Sequence, residues 1–172
     1  MPKPLLINAA ELLRRPGSER RLDLEATVAE LGIADRRFDA AATVVVSLRL
    51  ESLTDGIVVD GELRAPWADS CGRCLAPAHG DVVSAVQELY QQVVAVPDAF
   101  EIGVGDQLDL VPMIRENLLL DAPIAPLCRP DCAGLCPSCG IDRNTAGCDC
   151  LAVVVDPRWD ALTQLKANLP DQ

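Results

Sequence analysis

The chain has 172 residues, of which 49% are hydrophobic and only 3% aromatic, and its formal net charge at pH 7 is −11. This length predicts one folded domain, or one domain with a small appended module, whose core rests on aliphatic side chains. No apolar run approaches the roughly 18 residues of a membrane span, and no secretory signal is evident, so we expect a soluble cytoplasmic protein.

The first half of the chain predicts a short helix followed by strands. Residues 8 to 15 have a helical pattern, with Asn8 as N-cap and a proline-glycine pair after its end. Apolar and polar residues then alternate with period two in three segments, which predicts strands. These segments are residues 22 to 28, 44 to 51 and 57 to 67. Residues 54 to 56 predict a hairpin turn, and the third strand leads directly to Cys71.

The second half is predicted to begin with a long strand at residues 81 to 96, although residues 84 to 89 would also suit a helix. Residues 102 to 106 resemble part of a dinucleotide loop but lack its third glycine, which favours a hairpin turn. Asp109 is the predicted N-cap of a helix that continues through Leu118.

The end of the chain predicts an extended segment and a last helix. Residues 151 to 155 have the extended pattern, and Asp156 followed by Pro157 is typical of a helix start. Trp159, Leu162 and Leu165 would share one face of that helix, which we expect to pack on the domain.

These elements predict an α+β fold. We expect a mainly antiparallel β-sheet or partly open barrel, with a few short helices and a cysteine-rich zinc-binding C-terminal region. The predicted organisation is a mostly β domain over residues 1 to 125, which includes the first Cys-x2-Cys turn. Residues 126 to 172 would form a zinc module with a C-terminal helix packed on the same domain.

The eight cysteines carry the strongest chemical signal. They fall into closely spaced pairs, and they are Cys71, Cys74, Cys128, Cys132, Cys136, Cys139, Cys148 and Cys150. A short turn between two cysteines lets both sulfurs face one ion about 2.3 Å away, which favours zinc. An even cysteine count also permits disulfides, but these belong to oxidising compartments and to chains too small to build a core without them.

Eight thiolates divide naturally into two tetrahedral zinc sites, and the spacing permits two divisions. One keeps a compact local unit of Cys136, Cys139, Cys148 and Cys150. It leaves a long-range site of Cys71, Cys74, Cys128 and Cys132. The alternative joins Cys128, Cys132, Cys136 and Cys139, and leaves Cys71, Cys74, Cys148 and Cys150. The first division is favoured because the alternative breaks up the local unit.

The sequence offers little for catalysis. Catalytic zinc keeps one coordination position open and usually includes histidine or carboxylate, yet the single histidine, His79, lies in a turn-like segment. Nucleophile-elbow and phosphate-loop motifs are missing, and no small-molecule substrate is evident. The sequence therefore predicts structural zinc in a protein that is not an enzyme.

Charge is distributed unevenly along the chain. Residues 81 to 125 hold eight acidic side chains and one basic one, which would repel phosphate. Residues 1 to 37 hold seven basic and six acidic side chains. If the protein contacts RNA directly, three arginine pairs in this segment are the candidates. They are Arg14 with Arg15, Arg20 with Arg21, and Arg36 with Arg37.

Four segments, in this order, resemble the bacterial YceD family of large ribosomal RNA subunit accumulation proteins. The first is the Cys-Gly-Arg-Cys-Leu run at residues 71 to 75, and the second is the approach to an acidic, leucine-rich helix at residues 105 to 110. The third is the cysteine-rich run at residues 126 to 140, and the fourth is Asp-Pro-Arg-Trp at residues 156 to 159. The cysteine-rich run is the most specific of the four.

The resemblance implies a cytoplasmic factor needed for synthesis, processing or stability of 23S rRNA, and hence for large-subunit assembly. It implies that all eight cysteines correspond to the family's pairs, with Cys71, Cys74, Cys128 and Cys132 recurring as a set, and it supplies no catalytic residue. The expected partners are a pre-large-subunit particle, 23S rRNA, a basic ribosomal protein or a nuclease. The alternatives are a zinc-dependent or thiol-redox enzyme, or a zinc-ribbon adaptor unrelated to ribosomes.

Overall fold

The computed structural model describes residues 5–150 and residue 158. Its elements are β1 (Leu6–Asn8), α1 (Ala10–Leu13), β2 (Glu19–Thr27), β3 (Thr43–Ser52), β4 (Ile57–Ser70), β5 (Pro77–Gln91), β6 (Phe100–Glu101), β7 (Gln107–Asp109) and α2 (Val111–Asp121). The main sheet has the order β2-β3-β4-β5-β6, and β1 pairs with β7 in a separate two-stranded sheet. All pairs are antiparallel except β5 with β6.

The core lies on one face of the main sheet. Alternate residues of β3 are buried, which places Val44, Val46, Leu48 and Leu50 on this face. Helix α2 packs against β4 and β5, and it buries Met113, Ile114 and Leu118. Full burial of an aliphatic side chain of this size contributes about 1.5–3 kcal/mol, so this layer is the main source of stability.

The predicted fold class is confirmed: the chain is α+β, with a mainly antiparallel sheet and short helices. Over the described residues the sheet stays open, with β2 and β6 at its edges. The three predicted strands are present as β2, β3 and β4, each slightly longer than expected. Strand β5 covers residues 84 to 89, so the helical alternative there is wrong. Leu53 N donates to Gly56 O at 2.8 Å, which closes the predicted hairpin turn.

Both predicted helices within the described residues begin later than expected. Asn8 ends β1, where it pairs with Gln107, and Asp109 ends β7, where it pairs with Leu6. Each side chain accepts a hydrogen bond from the amide two residues on: Ala10 N donates to Asn8 Oδ1 at 3.0 Å and Val111 N to Asp109 Oδ1 at 3.1 Å. Both residues thus form Asx turns between a strand and a helix.

Three further predictions concern the second half of the chain. The turn at residues 102 to 106 is confirmed, since Gly103 and Gln107 pair across it and Gly105 has φ 74°. The extended segment at 151 to 155 and the helix beginning at Asp156 fall outside the described residues. Among the residues that are described, no helix is both long and apolar enough to cross a bilayer.

A two-stranded ribbon carries the first cysteine pair. Strand β4 pairs with β5 as far as Ser70 and Pro77, whereas its pairing with β3 ends at Arg64. The ends of β4 and β5 therefore project beyond β3 as a hairpin. Its tip is the turn over residues 71 to 76, so the first cysteine pair lies at a strand-to-strand turn, as predicted.

Candidate metal centres

The first group of four thiols, cluster 1, consists of Cys71, Cys74, Cys128 and Cys132, whose sulfurs all lie within 4.8 Å of one another. The first two come from the β4–β5 turn, and the other two follow α2. Cys71 Sγ is 3.8 Å from Cys132 Sγ, and Cys74 Sγ is 3.5 Å from Cys128 Sγ. A tetrahedron with zinc–sulfur bonds of 2.3 Å has edges of about 3.8 Å, so this spacing fits one zinc ion.

The second group, cluster 2, consists of Cys136, Cys139, Cys148 and Cys150, whose sulfurs also lie within 4.8 Å of one another. Its two halves are joined by the polar loop over residues 140 to 147. The loop folds back on the segment before it, because Cys136 N donates to Ile141 O at 2.8 Å and Arg143 N to Gly134 O at 2.9 Å. Cluster 2 is therefore a compact local unit.

The Cys-x2-Cys turns of the two clusters have the same backbone shape. Leu75 N donates to Cys71 O at 2.9 Å, and Gly140 N donates to Cys136 O at 2.8 Å. Both residues that follow the second cysteine have positive φ, 63° at Leu75 and 75° at Gly140. Glycine adopts this conformation readily, whereas leucine must be held there by its surroundings. The turn of cluster 1 is thus a strained version of the turn of cluster 2.

Backbone amides stabilise one thiolate in each cluster. The backbone amide of Cys128 lowers the pKa of Cys71 to about 6, with further help from the amides of Cys74 and Arg73. The amide of Cys139, followed by that of Ser138, lowers the pKa of Cys136 to about 6. Thiolates are the metal-binding form of cysteine, so these amides favour ligation.

At least one other thiol in each cluster shows the opposite effect. The neighbouring Cys74 side chain, followed by burial, raises the pKa of Cys128 to about 12. Cys139 and burial likewise raise the pKa of Cys150 to about 12. Four sulfurs so close together cannot all ionise unless a cation compensates their charge. The donor set therefore fits a divalent thiophilic metal such as zinc.

The grouping of the cysteines matches the first of the two divisions considered from the sequence. The long-range set and the local unit are the sets brought together. The alternative that joins Cys128, Cys132, Cys136 and Cys139 is wrong. All eight cysteines are free thiols, and sulfur separations of 3.5 and 3.8 Å far exceed the roughly 2.05 Å of a disulfide bond.

Cluster 1 is attached to the main sheet by packing and by backbone contacts. Cys71 and Cys132 pack with Ala78 in a small buried group, against which Trp67 and Leu127 lie. Gly72 N donates to Pro126 O at 2.8 Å. A side chain at Gly72 would meet Ala125 only at ordinary contact distance, so this glycine is not required for close packing. The cluster therefore joins the tip of the β4–β5 ribbon to the chain that leaves α2.

Hydrogen bonds also link the two clusters, through residues that the sequence analysis did not identify. Asn144, in the loop of cluster 2, donates from Nδ2 to Cys132 Sγ at 3.5 Å. Arg73, in the turn of cluster 1, donates from its guanidinium to Cys132 O at 2.9 Å and accepts from Leu135 N at 2.9 Å. The sequence offers one signal for these contacts, the polar loop between the two cysteine pairs of cluster 2. The polarity of a loop does not indicate which residues it contacts.

The six candidate arginines have different surroundings. Arg15 and Arg20 line a cleft of about 270 Å³ together with Glu11 and Glu19, so its charge is balanced. Arg14 and Arg21 are exposed. The exposed Arg36 guanidinium pairs with Asp69 at 3.0 Å.

Arg37 is engaged within the fold. Its guanidinium donates to the carboxylate of Asp35 at 2.7 and 2.9 Å and to the carbonyl oxygens of Ala122 at 2.9 Å and Pro123 at 3.2 Å. It thereby ties the loop between β2 and β3 to the end of α2. These bonds leave its guanidinium largely occupied, which argues against a role in RNA contact.

The pairing of Asp35 with Arg37 predicts a specific pH dependence. Hydrogen bonds from the Arg37 side chain and backbone lower the pKa of Asp35 to about 2. The unfolded value is about 3.9, so the pair stabilises the fold above that pH, and the contribution is lost as pH falls through 2. We expect the loss of stability in Asp35→Asn to shrink between about pH 4 and pH 2. Urea unfolding of both proteins across this range measures it, with Asp55→Asn in an exposed turn as control. A difference in unfolding free energy between the wild type and Asp35→Asn that does not change with pH would contradict the lowered pKa of Asp35.

His79 lies in β5 opposite Ala68, not in a turn, and its side chain is exposed. It belongs to neither thiol cluster. Among the described residues, His79 therefore shares no group of possible metal ligands with a cysteine.

Both clusters lie in a segment of the chain that matches a known protein family. The chain matches the family model described as "Large ribosomal RNA subunit accumulation protein YceD" over residues 59–166, which includes all eight cysteines. The chain belongs to the YceD family. The match begins within β4, so the family segment contains the β4–β5 ribbon, α2 and both clusters. The description of YceD links the family to accumulation of large-subunit ribosomal RNA.

Relatives of this YceD chain occur in mycobacteria. "Uncharacterized protein Rv2926c" of Mycobacterium tuberculosis (strain ATCC 25618 / H37Rv) is 35% identical over 173 residues, which cover 94% of this chain and 81% of the relative. "Uncharacterized protein ML1660" of Mycobacterium leprae (strain TN) is 31% identical over 183 residues, which cover 95% and 78%. No solved structure gives a significant match.

Proposed function

We propose that this chain is a non-enzymatic ribosome-biogenesis factor of the cytoplasm. It supports the synthesis, processing or stability of 23S rRNA and the assembly of the large subunit. Two structural Zn²⁺ ions, one in each cluster, hold its binding surface in place. In this proposal residues 126 to 172 form a cysteine-rich module attached to a β domain of residues 1 to 125.

The observation that carries the proposal is that all eight sulfurs fall into two sets of four. Four thiolates complete the tetrahedral coordination of zinc, whereas catalytic zinc needs a position for water or substrate. When bound, zinc supplies folding energy and neutralises thiolate charge. The residues around it position and shield the thiolates. Family membership supplies the link to ribosomal RNA.

Charge favours a basic ribosomal protein of the pre-large-subunit particle as the direct contact, rather than naked RNA. Two zinc ions on eight thiolates would take the formal net charge from −11 to −15. Within residues 5–150, six arginines form ion pairs with carboxylates. They are Arg15, Arg36, Arg37, Arg49, Arg64 and Arg129. The excess negative charge of the chain repels phosphate, so its affinity for RNA should be weak and sensitive to salt.

Crosslinking in cells tests the ribosomal part of the proposal. The chain is crosslinked, purified under denaturing conditions, and its bound proteins and RNA are identified. We expect ribosomal proteins of the large subunit to be enriched over the same experiment with a variant in which Cys71, Cys74, Cys128 and Cys132 are serine. Enrichment of proteins unrelated to ribosomes would support the adaptor alternative. Tight binding of purified 23S rRNA at physiological salt would contradict a protein-mediated contact.

Metal analysis tests the non-enzymatic part. We expect about two zinc ions per purified chain, and thiols that react with an alkylating reagent only after a chelator is added. Rapid alkylation of the metal-replete protein would instead support the thiol-redox alternative, because a reactive cysteine must be an accessible thiolate.

A further inference from the structure

Asn144 connects the two thiol clusters. It belongs to the loop between Cys139 and Cys148, which are cluster 2 residues. Its side chain nevertheless reaches cluster 1, because Nδ2 donates to Cys132 Sγ at 3.5 Å. A hydrogen bond to a thiolate sulfur stabilises the ionised form that binds metal. The loop of one cluster therefore supplies an outer-shell contact to a ligand of the other.

The neighbours of Asn144 fix the orientation of its amide. Its Oδ1 accepts from Ala133 N at 2.8 Å and from the Arg129 guanidinium at 2.7 Å, and both groups can only donate. Its Nδ2 faces Asp142 Oδ1 at 2.6 Å and the Cys132 sulfur, which both accept. The four contacts agree with one orientation only, in which the sulfur receives an N–H.

Cluster 2 controls the shape of the loop that presents Asn144. Both ends of the loop are ligand pairs, and closing the cluster brings these ends together. The middle of the loop is held by Leu135, which pairs with Asp142, and by Arg143 N, which donates to Gly134 O. Thus metal in cluster 2 would reduce the freedom of Asn144 to leave Cys132.

A second route joins the clusters through Arg73. This residue lies between Cys71 and Cys74, and its carbonyl oxygen accepts from Leu135 N, next to Cys136. Gly134 has φ 72°, and a side chain there would lie 3.0 Å from Arg73 O. The two backbones therefore approach closely, and a Cβ at position 134 would require one of them to shift. Ordering the turn of cluster 1 positions the segment that begins cluster 2.

We propose that the two clusters bind zinc with positive cooperativity, and that Asn144 is the positioning residue that couples them. This inference rests on the zinc binding proposed above. Because coupling between sites is reciprocal, metal in either cluster raises the affinity of the other by the same factor. Loss of an outer-shell contact typically lowers metal affinity about 10–100-fold, which sets the expected scale.

Titration of the reduced, metal-free full chain with Co²⁺ tests the coupling, since cobalt–thiolate absorption reports each binding step and a competing chelator gives the affinities. Disabling cluster 2 with Cys148→Ser should lower the affinity of cluster 1 about tenfold or more. Asn144→Ala should weaken binding in the intact pair by a similar factor. Thr145→Ala is the control, because its hydroxyl contacts only Asp142 O and not a sulfur. It should stay within about twofold of the wild type.

The combined variant separates coupling from independent damage. If Asn144 acts through cluster 2, Asn144→Ala added to Cys148→Ser should cause little further loss in cluster 1. Two outcomes would overturn the coupling while leaving zinc binding intact. In the first, the affinity losses of the two single substitutions multiply in the combined variant. In the second, Cys148→Ser leaves the affinity of cluster 1 unchanged. Failure of the wild-type chain to bind cobalt would overturn the zinc proposal itself. If Cys148→Ser does not fold, the pair Asn144→Ala and Thr145→Ala decides, because both keep all eight thiols.

Discussion

Replacing Cys71 by serine is expected to destabilise the whole fold. Cys71 is fully buried, and its cluster joins the tip of the β4–β5 ribbon to the segment after α2. Loss of a structural metal is among the few changes that cost more than about 4 kcal/mol. That is a large part of the roughly 5–15 kcal/mol that stabilises a domain. We therefore expect a much lower unfolding midpoint and the loss of at least one zinc ion per chain.

Cys148→Ser is the matched comparison. Its cluster closes a local loop, so its loss should remove zinc and loosen residues 140 to 147 while the β-sheet persists. Circular dichroism reports the sheet, and metal analysis reports the ions. If both variants lost the same stability, the distinction between a long-range and a local cluster would fail. The cooperativity inferred above predicts a smaller second effect, namely weaker retention of zinc in cluster 1.

The sequence predicts the thiol clusters well because cysteine pairs carry their chemistry in their spacing. Cys136 with Cys139, and Cys148 with Cys150, are close enough that geometry leaves few choices. The long-range cluster then follows from the remaining four cysteines. The main strands can be predicted equally well, since buried and more exposed residues alternate along all ten residues of β3. Patterns that repeat several times within one segment are thus readable without tertiary information.

Features that depend on distant partners are not readable in this way. Strands β1 and β7 have three residues each, too few for an alternating pattern, and they exist because they pair across about a hundred residues of chain. Arg37 looks like a surface arginine beside Arg36, yet it binds the carbonyl oxygen of Ala122. Asn144 looks like an ordinary loop residue. In each case the partner is fixed by the fold and not by the neighbouring sequence.

Replacement of Gly61 is expected to weaken metal binding in cluster 1, although this residue is not a metal ligand. Gly61 lies in β4 opposite Leu48, with φ 152°, a conformation that residues with a side chain rarely adopt. A Cβ there would overlap the carbonyl oxygen of Ser47 and lie 2.9 Å from Leu48 Cα. Strands β3 and β4 can keep their pairing only if this position has no side chain.

Gly61→Ala should therefore cost about 3 kcal/mol or more, from backbone strain together with steric overlap. Urea unfolding at neutral pH measures the loss. The control is Glu62→Ala, which removes an exposed side chain whose ion pair with Arg64 contributes little. A wild-type midpoint for Gly61→Ala would contradict the close approach of β3 and β4. Because β4 leads directly into Cys71, we also expect Gly61→Ala to retain less zinc, although it alters no ligand. Retention of zinc in cluster 1 would then depend on the pairing of β4 as well as on its four thiols.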